Sequence, residues 1–160
     1  MSDHRLYFAY GSNLDLAQMR ERCPDSTCLH PAVLDGYKLV FAGASRRWGG
    51  QGSASIIADA DSQVHGLIYR MPPHDIAVLD GYESVPTVYT RQEVEVRSPQ
   101  GKPVGAFTYQ RLDHRINPPH IGYFHKIWGG YRAFGLRDEY LFRAITEAIV
   151  HREATGPLDD

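Results

Sequence analysis

Apolar and polar positions change their rhythm along this 160-residue chain, from short runs and alternations early on to a three-and-four spacing near the end. The first run, "RLYFAY" at 5–10, reads as a buried strand. Gly11-Ser12-Asn13 follows at once. Leu16, Met19 and Cys23 then share one face of a short helix that Pro24 ends, and Asn13 or Asp15 can cap it with a side-chain oxygen. Residues 28–43 are strand-like, broken at Asp35-Gly36. The pattern predicts two more strands over 53–59 and 64–70, joined by a hairpin at Ala60-Asp61-Ser62-Gln63. Pro72-Pro73 introduces a short helix over 74–81, with Ile76 and Leu79 at helical spacing. Residues 92–97 alternate, with Val94 and Val96 inward, and a turn at Gln100-Gly101 leads to a strand over 104–110. Leu141, Ala144, Ile145, Ala148 and Ile149 then recur at helical spacing until Gly156-Pro157.

Strands first and helices last predict an α+β fold: a curled or closed, mostly antiparallel sheet with helices packed outside it. The length suits one domain over 1–160. Charge adds exclusions. The formal net charge is −2 and no Lys/Arg-rich block occurs, which argues against a nucleic-acid partner. The apolar runs are too short to cross a bilayer and no secretory leader is visible, so a cytoplasmic protein without a membrane partner is expected. Cys23 and Cys28 match no zinc spacing, so two reduced thiols and no metal are expected.

Candidate chemistry sits at two places. The Gly11-Ser12-Asn13 corner lacks the glycines of a phosphate loop. It also fails as a nucleophile elbow, because Tyr10 and Leu14 stand where glycines would be needed around Ser12. An ordinary turn remains open. So does an anion site, since a bend before a helix leaves backbone N–H groups unpaired under a positive dipole end. The second place is "LDGYESVPTVY", residues 79–89. On composition alone Glu83 reads as a solvated loop residue. Its apolar and aromatic neighbours give the other reading, a carboxyl with a raised pKa suited to proton transfer. Arg46 and Arg47 read as solvated loop charges, with pairing to a ligand carboxylate as the alternative. His114, His120 and His125 form no compact ligand motif, and Trp128 and Tyr131 suit core or pocket equally.

Taken in order, "YFAYGSNL" at 7–14, "WGGQGSASI" at 48–56, "VHGLIYRM" at 64–71, "LDGYESV" with its later tyrosine, and "YFHKIWGGYRAFGLRDEY" at 123–140 resemble the gamma-glutamylcyclotransferase (AIG2-like) family. The resemblance implies a small, closed or nearly closed β-barrel with flanking helices. It implies an enzyme that cyclises a γ-glutamyl amino acid or γ-glutamylamine to 5-oxoproline without a cofactor, in glutathione metabolism. By the same resemblance Glu83 is the general acid/base. Tyr7, Phe8, Ala9, Tyr10, Gly11 and Ser12, supported by Asn13, form the substrate-binding loop, and Tyr140 lines the pocket. Ser84 stands where the family often has glycine, and the gap from Glu83 to Tyr89 is one residue short of the family's. A non-catalytic binding module, a γ-glutamyl-capped metabolite as substrate, and a homodimer all stay open.

Overall fold

The computed structural model describes residues 3–159. Its five strands are β1 (Arg5–Ala9), β2 (Thr27–Ser45), β3 (Gln51–Met71), β4 (Tyr89–Arg97) and β5 (Pro103–Arg111). They close into a barrel in the order β1-β3-β2-β4-β5. All pairs are antiparallel except β1 with β5, where Tyr7 lies opposite Phe107 and the closure is parallel. Four helices accompany the barrel: α1 (Leu16–Arg22), α2 (Pro73–Tyr82), α3 (Ile121–Phe134) and α4 (Glu139–Thr155). The expected α+β barrel is therefore present. None of the described helices is long and apolar enough to cross a membrane.

The interior is filled by fully buried Phe8, Phe41, Ile56, Leu67, Ile68 and Phe107. Each contributes about 1.5–3 kcal/mol of apolar burial. On β4 the alternation behaves as expected, with Val96 buried and Val94 packed against the core between exposed Glu93, Glu95 and Arg97.

One prediction is corrected. Residues 60–63 do not form a hairpin; β3 runs through them as a single strand. Both of its halves pair with β2, Ala58 opposite Tyr37 and Gln63 opposite Asp35, and the register shifts at Gly36 (φ +82°). No residue from 60 to 63 has positive φ, which a tight two-residue hairpin would demand. The chain reverses instead at 46–50, where Gly49 and Gly50 adopt φ +65° and +81°. The break seen at Asp35-Gly36 thus faces a bulge in β3, whose residues 59–62 lie opposite Gly36 alone, and this irregularity bends the long ribbon so that it curls into the barrel.

A close approach anchors the corner after β1. Gly130 of α3 packs directly on Leu14, and a Cβ at Gly130 would lie 2.4 Å from Leu14 Cβ. Gly129, its neighbour on the exposed face, has open space around it. Gly130→Ala should therefore lower stability by about 1–2 kcal/mol through overpacking. Gly129→Ala should raise it by about 0.5–1 kcal/mol through helix propensity. Chemical denaturation of the two variants checks the opposite signs.

Candidate active site

A cavity of about 480 Å³ opens at one end of the barrel. Its first wall is the corner. β1 stops at Ala9, and Ser12–Leu14 make one 3₁₀ turn in which Leu14 N donates to Gly11 O and Asp15 N to Ser12 O, both at 3.0 Å. The N–H groups of Gly11, Ser12 and Asn13 precede those donors and have no partner within the turn. Asp15, of the two cap candidates, is the cap: its Oδ1 accepts from Ala17 N and Gln18 N. Asn13 is released for the cavity.

Its second wall comes from the end of α2. Pro73 opens that helix, buried Ile76 and Leu79 hold it to the barrel, and Tyr109 Oη donates to Asp80 Oδ1 at 2.6 Å. Glu83 is the C-cap. Beyond it Ser84 N donates to Gly81 O (3.1 Å) and Val85 N to Asp80 O (3.0 Å), the two bonds of a Schellman ending. Ser84 occupies the left-handed position at φ +51°, where glycine is favoured. The substitution seen in the sequence is thus accommodated by the backbone, and Glu83 keeps its place at the cavity.

Asn13 joins the two walls. Its Oδ1 accepts from Gln18 Nε2 (3.0 Å) and Arg22 Nη1 (3.2 Å). Its Nδ2 is thereby left to donate to Tyr7 Oη (3.0 Å) and, at a longer 3.4 Å, to Glu83 Oε1. Glu83 is partly exposed as a residue, but protein crowds its carboxyl. Burial pushes its pKa up to about 7, against the opposing pull of Arg22, Arg47, the Asn13 bond and Arg111. Buried phenols complete the lining. Tyr10 Oη donates to Tyr109 O, Tyr89 Oη donates to Ala54 O, and Tyr123 Oη accepts from Ala54 N. Burial, with Glu83 adding to it, raises the pKa of each further above its ordinary value, so these are protonated hydroxyls and not bases.

Tyr7, Tyr10, Gly11, Ser12, Asn13 and Glu83 are thus brought together. Three expected residues are not. Phe8 and Ala9 are wholly buried in the barrel wall, where Phe8 O accepts from Thr108 Oγ1, and neither lines the cavity. Tyr140 lies elsewhere, near the start of α4, with its ring stacked on His65 at 5.7 Å. The late tyrosine that does reach the cavity is Tyr123 of α3, which lies within the segment quoted from the sequence. Arg46 and Arg47 are exposed, as expected of loop charges, yet they stand on the rim, and Arg47 and Arg22 both lie against the Tyr82 ring. Arg22 and Arg111 were not anticipated. Arg111 was legible as a charged residue two positions beyond Tyr109 and four beyond Phe107, on the inward phase of β5.

The other candidates have structural work. His120 caps α3 by accepting from Gly122 N, and Tyr131 is core. Burial first, then Asp75, pushes the Cys23 thiol up to about 12, which leaves it inert. One cluster with metal-ligand chemistry occurs among the described residues, Asp25, His74 and Asp75. Its buried carboxylate, Asp75, is occupied by Asp25 N and Ser26 Oγ.

A closed barrel whose end holds a cavity lined by hydroxyls, guanidinium groups and one carboxyl has the features of a small-molecule site. Residues 7–127 match the family described as "Gamma-glutamyl cyclotransferase, AIG2-like". The gamma-glutamylcyclotransferase of Mus musculus is 33% identical over 160 residues, covering 97% of this chain and 84% of that protein. The protein of the same name from Homo sapiens is 31% identical with the same coverage. A solved gamma-glutamyl cyclotransferase superposes with a TM-score of 0.82 at 28% identity, covering 99% of this chain and 91% of the other. The chain belongs to the gamma-glutamyl cyclotransferase, AIG2-like family.

Ser84→Gly should relieve the left-handed position and raise stability by about 0.5–1 kcal/mol. Thermal unfolding checks this; an unchanged or lower melting temperature would contradict the account of how α2 ends.

Proposed function

We propose that the protein cyclises a γ-glutamyl compound to 5-oxoproline and releases the amine, with Glu83 carrying the proton and the corner holding the substrate. One observation carries the reading: a carboxyl with a pKa of about 7 faces a small cavity beside a turn whose first N–H groups have no partner within it. The α-ammonium of the γ-glutamyl group gives a proton to the Glu83 carboxylate. The freed amine attacks the γ-carbonyl carbon, a C–N bond forms, and the carbonyl oxygen becomes an oxyanion. Glu83 gives that proton to the departing nitrogen as the old C–N bond breaks, then takes the second proton that the ring nitrogen loses in becoming an amide and passes it to the released amine, which leaves as an ammonium. Nothing is oxidised, no water is consumed, and one group suffices for both transfers because its pKa lies near the working pH.

The enzyme's remaining contribution is geometry. The γ-glutamyl chain must be bent so that the amine meets its own carbonyl, and a cavity lined by packed tyrosines restricts it to such shapes. The corner N–H groups suit the α-carboxylate, and the protonated phenols can donate to the oxyanion. The free thiols of Cys23 and Cys28 fit a cytoplasmic setting.

Release of 5-oxoproline from γ-glutamyl amino acids tests the reading. Glu83→Gln should fold and lose roughly 10²- to 10⁴-fold in kcat. Because the base form of Glu83 is needed, kcat/KM of the native protein should fall as pH drops below about 7. A folded Glu83→Gln protein with near-native turnover would overturn the assignment.

A further inference from the structure

Five buried tyrosines line the cavity: Tyr7, Tyr10, Tyr89, Tyr109 and Tyr123. Each phenol carries one hydrogen, so what it can offer a substrate depends on where that hydrogen already goes. Three are committed: Tyr10 Oη donates to Tyr109 O, Tyr89 Oη to Ala54 O and Tyr109 Oη to Asp80 Oδ1. Tyr7 and Tyr123 differ. Their oxygens accept, from Asn13 Nδ2 at 3.0 Å and from Ala54 N at 2.8 Å. Neither hydrogen meets an acceptor among the described residues.

Tyr123 is held from behind by bonds whose direction is fixed. A guanidinium can only donate, so Arg111 Nη1 gives a hydrogen to Ser53 Oγ at 2.7 Å. Tyr89 gives its one hydrogen to the Ala54 carbonyl at 2.8 Å, so Ser53 is the donor in the 2.7 Å contact between Ser53 Oγ and Tyr89 Oη. Ala54, anchored through its carbonyl, donates its N–H to Tyr123 Oη. A hydroxyl that accepts one hydrogen bond becomes a stronger donor of the next. The Tyr123 ring packs against Phe41 and Trp48, and α3 is pinned to the corner by Gly130 on Leu14. Burial, and then Tyr89, raise the Tyr123 pKa well above the ordinary phenol value, so the hydrogen stays on it.

Position separates the two uncommitted phenols. The Asn13 amide that holds Tyr7 Oη also reaches Glu83, so Tyr7 stands with the proton-carrying carboxyl, on the amine's side. A Cβ on Gly11 would lie 3.5 Å from Tyr123 Oη, which puts that hydroxyl beside the start of the corner. With the α-carboxylate on the corner N–H groups, the bent γ-glutamyl chain brings its γ-carbonyl back toward the same wall. Resting on the γ-glutamyl reading above, we propose that Tyr123 is a catalytic residue whose O–H donates to the γ-carbonyl oxygen as that oxygen becomes an oxyanion. No proton leaves Tyr123 in this step. The electron pair that C–N bond formation pushes onto oxygen returns to the carbonyl when the old C–N bond breaks. The donor is in place before the charge develops, which is what makes such a bond lower the barrier.

Release of 5-oxoproline from γ-glutamyl-alanine tests this. Tyr123→Phe removes the hydroxyl and keeps the ring. It should lower kcat about 10²- to 10³-fold and leave KM within about threefold of native. A donor to the α-carboxylate, bound alike before and during reaction, would instead raise KM and leave kcat unchanged. 3-Fluorotyrosine at position 123 keeps the hydroxyl and makes it a stronger donor, so the single-turnover rate should rise about 1.5- to 3-fold. A folded Tyr123→Phe protein with kcat within about threefold of native overturns the proposal, as does a change confined to KM. Should Tyr123→Phe fail to fold, the fluorotyrosine protein decides, and an unchanged or lower single-turnover rate overturns the proposal. Absent 5-oxoproline from the native protein overturns the cyclisation reading and this proposal with it. An active native protein beside an equally active Tyr123→Phe protein overturns this proposal alone.

Discussion

A single carboxyl group taken out of water is the constraint on which the site depends. Desolvation alone would favour the neutral acid of Glu83, and nearby guanidinium groups alone would favour the carboxylate. With burial the larger effect and Arg22, Arg47 and Arg111 opposing it, the group is balanced near neutrality. Such a balance is what a group that must both take and return a proton requires. It is not free. A carboxyl whose folded pKa exceeds its unfolded value makes the native state less stable as pH rises between the two, so the ionised form in use above pH 7 carries the full penalty. The buried phenols around it are stabilising by packing and stay protonated, which leaves Glu83 as the group proposed for the proton transfers.

The barrel supplies what holds that group still. α2 ends on a hydrogen-bonded Schellman turn, so Glu83 projects from a fixed backbone and not from a mobile loop. Asn13 reaches it from the opposite wall, oriented by donors from Gln18 and Arg22 on α1. The corner itself is clamped from behind by Gly130 against Leu14. Three elements distant in sequence, β1, α2 and α3, therefore define one small volume. None of them alone would specify a site.

Much of this was legible in the chain. Alternation located β4, the Gln100-Gly101 turn located β5, and helical spacing located α2 and α4. The corner and Glu83 stood out through the resemblance to the family; by residue type alone the one fits an ordinary turn and the other a solvated loop residue. The β2–β3 ribbon was harder to read. Ala60-Asp61-Ser62-Gln63 is polar, and local polarity cannot distinguish a turn from a bulge within a continuous strand. Tyr140 illustrates another limit: a motif can be recognised in the right order while one of its residues, here on α4 against His65, lies away from the cavity. Phe8 and Ala9 belong to the same loop as Tyr7 and Tyr10, yet the barrel wall consumes them. Arg111 went unnoticed because an arginine at a strand end ordinarily reads as surface, although its spacing from Phe107 and Tyr109 puts it on their inward phase.

The central claim is the balanced charge of Glu83, and carbon-13 NMR of its side-chain carboxyl measures that charge directly. A titration with its midpoint near pH 7, in protein labelled at glutamate and assigned through the spectrum of the Glu83→Gln variant, is the result expected. A midpoint near 4.5, the ordinary value for a solvated glutamate, would contradict the account.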